Sequence, residues 1–198
     1  MITRPVLFSG AMVRALLDGS KTQTRRAVKV RCQEIGERDD GSLWPWSENP
    51  DTAADHWHAC PYGQPGDRLW VRESWKAHTT FDHLPPRDIP ESHVWYLADD
   101  GYKAQSRTRA SMHMPRWASR ILLEIVAVRV ERLQDISEKD ARAEGVTIEE
   151  RHMAGYCAGQ FLPPSIRAYR DLWESISGDG SWGANPWVWV VEFKRVTP

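Results

Sequence analysis

The stretch Arg120-Ile121-Leu122-Leu123-Glu124-Ile125-Val126-Ala127-Val128-Arg129-Val130 constrains the fold more than any other part of this chain. It is β-branched, nearly continuously apolar and free of Gly and Pro, which predicts a long strand buried on both faces over part of its length. A strand of that kind needs paired neighbours. Two segments qualify: Arg68-Leu69-Trp70-Val71-Arg72-Glu73-Ser74-Trp75, and the closing Pro186-Trp187-Val188-Trp189-Val190-Val191-Glu192-Phe193. In the first, alternation puts Leu69, Val71 and Glu73 on one face and Trp70, Arg72 and Ser74 on the other.

Helices are signalled by caps and spacing. Ser9 stands as an N-cap before Ala11, Met12, Ala15 and Leu16, and Asp18-Gly19 stops the pattern. Lys21 to Val28 then reads as a strand. Ser137, with Asp140 three residues on, opens a short helix that Gly145 ends. Pro164-Ser165 opens another, with Ile166, Tyr169, Leu172, Trp173 and Ile176 on one face. Residues 31–65 show no steady period and read as a long surface insertion; a second spans about 78–115, with a hairpin strand at Val94–Leu97. The order has no βαβ rhythm and no repeat. It predicts an α+β chain of one domain over residues 1–198, a mixed sheet curled into a β-barrel with short helices beside it and two long loop insertions.

Composition limits the partners. Hydrophobic residues make up 41% and charged residues 27%, enough to build a core without disulfide or metal support. A net charge of −1 argues against strong non-specific binding to duplex nucleic acid. Charge is nevertheless patchy, with basic runs at Arg25, Arg26, Lys29, Arg31 and at Lys103, Arg107, Arg109, Arg116, Arg120, separated by acidic stretches such as Asp99-Asp100. Eleven tryptophans against four phenylalanines favour core packing, with a minority free to stack on a flat ligand. Cys32, Cys60 and Cys157 form no CxxC pair and read as free thiols of a reducing cytoplasm. Cys32, His56, His58 and Cys60 are too irregularly spaced for a zinc site, so no metal and no cofactor is expected. No apolar run is long enough to span a membrane, and no signal peptide is visible.

Four motifs in order carry a resemblance: Gly19-Ser20-Lys21-Thr22-Gln23-Thr24-Arg25-Arg26, Pro65-Gly66-Asp67-Arg68-Leu69-Trp70-Val71-Arg72-Glu73, Ala141-Arg142-Ala143-Glu144-Gly145-Val146, and Val190-Val191-Glu192-Phe193. Together they resemble the ASCH family, and Met114-Pro115-Arg116-Trp117-Ala118-Ser119-Arg120 and Asn185-Pro186-Trp187-Val188-Trp189-Val190 look like its longer phage and prophage versions. The resemblance implies a PUA-like barrel with a central cleft, in a group first regarded as RNA-binding. One small bacterial relative removes the acetyl group from N4-acetylcytidine, and another is a ribonuclease. By that resemblance Lys21, Thr24 and Glu144 fall on the amidohydrolase's catalytic lysine, threonine and glutamate, and Arg26 on a motif arginine.

The chemistry asks specific things of these residues. Thr24 supplies a hydroxyl, and Lys21 acts as a base only if burial or Arg25 and Arg26 depress its pKa. Glu144 opposes that depression if ionised and close, so it orients Lys21 or carries a proton to the leaving amine. A carboxylate at a helix C-terminus is a small local cost, which favours such a role. Strict alternation groups Thr22, Thr24 and Arg26 on one strand face, so Lys21 joins Thr24 only if the chain still turns after Gly19. Around them Arg26, Glu73, Trp75, Arg116 and Trp117 are candidate substrate-binding residues. Glu73 either pairs with Arg26 or Arg116 or faces the cleft, and Trp75 and Trp117 either stack on a base or fill the core. The expected partner is a modified cytidine nucleoside or single-stranded RNA. The alternatives to amide hydrolysis are binding without catalysis, or ribonuclease action.

Overall fold

The computed structural model describes residues 1–49, 51–99, 105–153 and 162–197; Asp100, Lys103 and Cys157 lie outside them. Its centre is a five-stranded mixed sheet of β1 (Thr3–Leu7), β6 (Arg68–Arg72), β9 (Leu122–Arg132), β10 (Trp187–Val196) and β2 (Gln23–Ala27), in that spatial order. β1 runs parallel to β6, and the other three pairings are antiparallel. The two sheet edges curl toward each other: the Arg26 guanidinium on β2 donates to the Leu7 carbonyl on β1 at 2.7 Å. Among the described residues no backbone ladder joins β1 to β2.

The long apolar run is central, as its composition demands. β9 pairs with β6 on one side and with β10 on the other, and Leu122 and Leu123 are both buried where the sheet is covered twice. The register slips at Glu192/Phe193, a bulge that bends β10 around the core. Inside the curl lie Val6, Phe8, Val13, Leu16, Leu69 and Trp189 among others.

The helices obey their caps. Ser9 accepts from the Met12 amide and opens α1 (Gly10–Leu17), whose buried stripe is Met12, Val13, Ala15 and Leu16. Ser137 caps α2 (Glu138–Ala143), and Gly145 follows it with φ +75°. After α3 (Glu150–Met153), α4 (Pro164–Ser177) packs Ile166, Tyr169 and Trp173 onto the outer face of β10, against Val188 and Val190. Ile176, expected on that buried face, is exposed.

Residues 31–65 are not the aperiodic loop their composition predicts. They hold an antiparallel meander of β3 (Glu34–Glu37), β4 (Leu43–Glu48) and β5 (Asp55–Trp57). Tertiary contacts hold it: the Trp44 ring stands edge-on to Trp189 at 4.9 Å, and the Arg38 guanidinium lies 4.0 Å from the Trp44 ring centre. The second insertion makes β8 (Trp95–Tyr96), which pairs with β7 (Trp75–Lys76). A separate apolar cluster forms there from Trp75, Ala77, Ile89, Val94, Met114 and Ala118. Among the described residues no helix is long and apolar enough to cross a membrane.

Candidate functional site

Gly19, at φ +83°, turns the chain out of α1, and the next residues are clasped from two sides. The Lys21 amide donates to the Ala15 carbonyl, the Thr22 amide to the Ala143 carbonyl, and Lys21 forms an antiparallel bridge with Glu144. The ends of α1 and α2 thus meet at the entry to β2. Gly145 makes the approach possible, since a Cβ there would lie 2.6 Å from the Ala15 Cβ and 2.8 Å from the Lys21 Cβ.

This clasp buries an ion pair. Lys21 Nζ donates to Glu144 Oε2 at 2.9 Å and to the Glu144 carbonyl at 2.8 Å, and both side chains are almost wholly enclosed. Glu144 Oε1 meets Arg25 Nη1 at 3.2 Å. Arg25 also donates from Nε to Glu131 Oε1 at 3.0 Å and lies 3.5 Å from Asp140 Oδ2. Two buried cations therefore share one buried carboxylate, with Glu131 and Asp140 balancing the arginine.

Burial pushes the Lys21 amine below its ordinary value; Glu144 opposes this, while Arg26 and Arg25 add to the depression. Arg25 goes the other way. Burial alone would lower it, but Glu144 and Glu131 hold it above the ordinary value, so it remains a fixed cation. Burial also pushes the Tyr169 phenol well up, reinforced by Glu144, so that it stays protonated.

The two-residue period of an extended chain reaches back through Lys21. Lys21, Gln23 and Arg25 all donate toward the α2 side, Gln23 to the Asp140 carbonyl at 2.9 Å. Thr24 and Arg26 alternate with them, so the strand period does not put Lys21 on the same face as Thr24. Arg26 lies over the Phe8 ring at 5.6 Å, and Lys21 Nζ comes within 5.3 Å of that same ring. Because β2 is an edge strand, one cleft reaches residues of both faces.

That cleft has a volume of about 580 Å³ and runs between β2 and α4. Thr24, Arg25, Arg26 and Glu144 form one wall, and Tyr169 and Trp173 the other, with Tyr62 and Lys29 also contributing. Lys21 lies behind Glu144 and is not part of the lining. The arrangement offers a hydroxyl, a carboxylate, a depressed amine one residue deeper, and guanidinium charge, which together suit proton transfer at a polar bond held against an aromatic wall.

The remaining candidates are elsewhere. Glu73 is buried, but its partner is Arg120, bonded at 2.9 Å and 3.0 Å, rather than Arg26 or Arg116. Arg120 in turn reaches Asp99 and stacks over Tyr96 at 3.8 Å. Burial raises the Glu73 carboxyl against the pull of Arg120. Trp75 is completely enclosed in the satellite cluster, edge-on to Trp117 at 6.1 Å, so no ligand reaches its faces. Arg116 is exposed beside Trp70. None of Glu73, Trp75, Arg116 and Trp117 lines the 580 Å³ cleft. His58 bonds Ser47 and stands edge-on to His56. Among the described residues no three His, Cys, Asp or Glu side chains converge on a metal-sized site.

Reading the residues singly misses the hub role of Arg25 and the contributions of Glu131, Asp140 and Tyr169. Arg25 shares a strand period with Lys21, which signals the common face. No sequence pattern marks the acids, because they come from β9 and α2.

No family model matches the chain, and no curated protein matches it. Two solved structures are similar. One is the ASCH domain from Lactobacillus crispatus, at 11% identity and a TM-score of 0.45, covering 100% of this chain and 81% of that one. The other is a DUF984-family protein from Enterococcus faecalis, at 8% identity and a TM-score of 0.41, covering 100% of this chain and 82% of that one.

Proposed function

We propose that this chain is an ASCH-type domain that hydrolyses the exocyclic amide of a modified nucleoside of the N4-acetylcytidine kind. One observation carries the reading: a lysine depressed by burial, Lys21, is bonded at 2.9 Å to a carboxylate that lines a nucleoside-sized cleft beside Thr24. Surface lysines do not adopt this arrangement, and a structural ion pair does not require a cleft.

In the reaction the Thr24 hydroxyl attacks the acyl carbonyl carbon, and its proton passes to the Lys21–Glu144 pair. The carbonyl oxygen becomes an oxyanion beside the Arg26 guanidinium. Collapse breaks the C–N bond as the pair returns the proton to the exocyclic nitrogen, which leaves as the amine. Water then cleaves the threonine ester, giving a carboxylate and restoring the hydroxyl. Neither metal nor redox partner is needed to balance these steps.

A binding role without turnover is the second reading. It is favoured by the half-buried Tyr62 on the same cleft lining as Arg26 and Lys29, which would hold a base and its backbone. Incubation with N4-acetylcytidine, following loss of the acyl chromophore, separates the two. Turnover by the wild type and none by a folded Lys21→Ala variant is expected. No turnover, or equal rates in both proteins, overturns the hydrolase.

A further inference from the structure

The outer face of the sheet holds a second arginine in step with Arg25. Val190 on β10 pairs with Arg25 on β2 at one side and with Arg129 on β9 at the other, so the two arginines share a face about 10 Å apart. Both are held by the same acids. Arg129 donates from Nε to Glu131 Oε2 at 3.0 Å and from Nη2 to Asp140 Oδ2 at 3.4 Å. Arg25 takes the other oxygen of Glu131 and lies 3.5 Å from that same oxygen of Asp140. Arg129 also pairs with the partly exposed Glu192. Charge therefore alternates without a break from Glu192 through Arg129, the acids Glu131 and Asp140, Arg25 and Glu144 to Lys21.

Arg25 is the link on which this chain turns. Its guanidinium is divided among Glu131, Asp140 and Glu144. What it gives to the two outer acids it withholds from Glu144, whose other side-chain partner is Lys21. Arg129 is the second cation on both outer acids, so it decides how much of Arg25 they claim. The same residue steadies a helix end. Asp140 belongs to α2, whose six residues are too few to hold a helix without tertiary contacts, and Glu144 is its C-cap. Arg129 itself is outside the cleft lining, so any effect it has on the pair passes through these neighbours.

We infer that Arg129 is a positioning residue for the Lys21–Glu144 pair: it holds Glu131 and Asp140 from the far side, leaves Arg25 on Glu144, and so sets how firmly that carboxylate grips Lys21. This rests on the proposed function only in taking the pair as the proton carrier. The sign follows from charge. Without Arg129, Glu131 and Asp140 draw on Arg25 alone, Glu144 turns to Lys21, and the ammonium form is favoured. Without Glu131, Arg25 turns to Glu144 and the neutral amine is favoured. The charged groups facing the amine are Glu144, Arg25 and Arg26, with the Phe8 ring against it. Tyr169 of α4, a protonated phenol, stands by Arg25.

Lys21 Nζ followed by NMR through a pH titration of the folded protein tests this, beside the pH profile for N4-acetylcytidine. Arg129→Met is expected to move the Lys21 step upward by about 0.5 pH unit or more, and Glu131→Gln to move it down by a similar amount. Arg129→Lys keeps the cation and is expected to return the step most of the way to its wild-type position. Loss of a merely structural contact would lower stability in both variants without opposite shifts. Glu192→Gln, at the partly exposed end, serves if Arg129→Met does not fold: it leaves Arg129 to the inner acids and should lower the step. Steps that stay in place, or that move in one direction in Arg129→Met and Glu131→Gln, overturn the inference. So does an unmoved step in Glu192→Gln and Glu131→Gln where Arg129→Met does not fold, or a Lys21 amine that never titrates in the folded protein. Opposite shifts without hydrolysis sink only the hydrolase; hydrolysis with a Lys21 step indifferent to Arg129 sinks only this inference.

Discussion

Lys21 and Glu144 are joined three times, by a backbone bridge, by a side-chain ion pair of 2.9 Å and by a bond from Nζ to the glutamate's own carbonyl. They are 123 residues apart in the chain. The pair is a fixture of the fold, and under the proposed function it also carries the proton, so stability and activity would depend on the same atoms.

Removing the charge of Glu144 should therefore be costly. Glu144→Gln leaves Lys21 and part of Arg25 buried without their shared anion, and such a loss typically costs about 3–5 kcal/mol. Urea denaturation should show a fall of that order, with the slope unchanged. A loss below about 1 kcal/mol would mean that Lys21 is neutral in the folded protein, its proton already gone.

The pH profile follows from the depressed lysine. Only neutral Lys21 accepts a proton, so kcat/KM should rise with pH along a limb centred below the 10.5 of a free lysine. Glu144 holds the ammonium form, so its replacement by glutamine should move the limb to lower pH. The stability sign is the same. Between the folded pKa and 10.5 the unfolded chain binds more protons than the folded one, so this group's contribution to stability rises with pH. A profile with no acid limb, or a limb that persists in Lys21→Ala, would assign the base elsewhere.

Glu73 and Arg120 provide a control away from the cleft. Burial raises Glu73 above the ordinary 4.5, so the folded chain holds its proton longer than the unfolded chain, and stability from this group falls as pH rises through that window. Arg120→Met removes the opposing cation and should widen the window, costing about 2 kcal/mol at neutral pH and less near pH 4.5. Nucleoside affinity should not change. Weakened binding in a variant that is equally stable would return Glu73 to the ligand site.

Much of this could be read along the chain, and the failures share a cause. Ser9, Ser137, Gly145 and Pro164 mark helix ends through local chemistry, and each ends or begins a helix where expected. The long strand of residues 122–132 is central because its composition permits nothing else. The β3–β5 meander is not legible: Pro45 stands inside the middle strand, where proline argues against a strand, and one of the contacts that hold it is Trp44 on Trp189, far along the chain. Tryptophan is equally at home in a core and on a ligand, so Trp75 and Trp117 could not be told from Trp173 without knowing which faces are covered. The pairing of Lys21 with Glu144 came from resemblance, because no local period links residues so far apart.

Gly145 gives the sharpest test that the clasp positions the site. Its φ of +75° disfavours any residue with a Cβ, and an added Cβ would fall 2.6 Å from that of Ala15 and 2.8 Å from that of Lys21. Neither neighbour yields readily, since Ala15 sits in the buried stripe of α1 and Lys21 is tied at both its amide and its Nζ. Gly145→Ala should cost about 2–4 kcal/mol, from the left-handed backbone and the overpacking together. The same contact displaces Lys21 from Glu144, so kcat should fall by more than 10-fold in protein that is still folded, with KM less affected. Gly19→Ala is the matching control: it has a similar φ of +83° but open space around the added carbon. It should pay only the backbone cost, about 1 kcal/mol, and retain most activity. Equal losses in the two variants would show that backbone strain alone matters, and that the close approach of α1, β2 and α2 does not set the geometry of the Lys21–Glu144 pair.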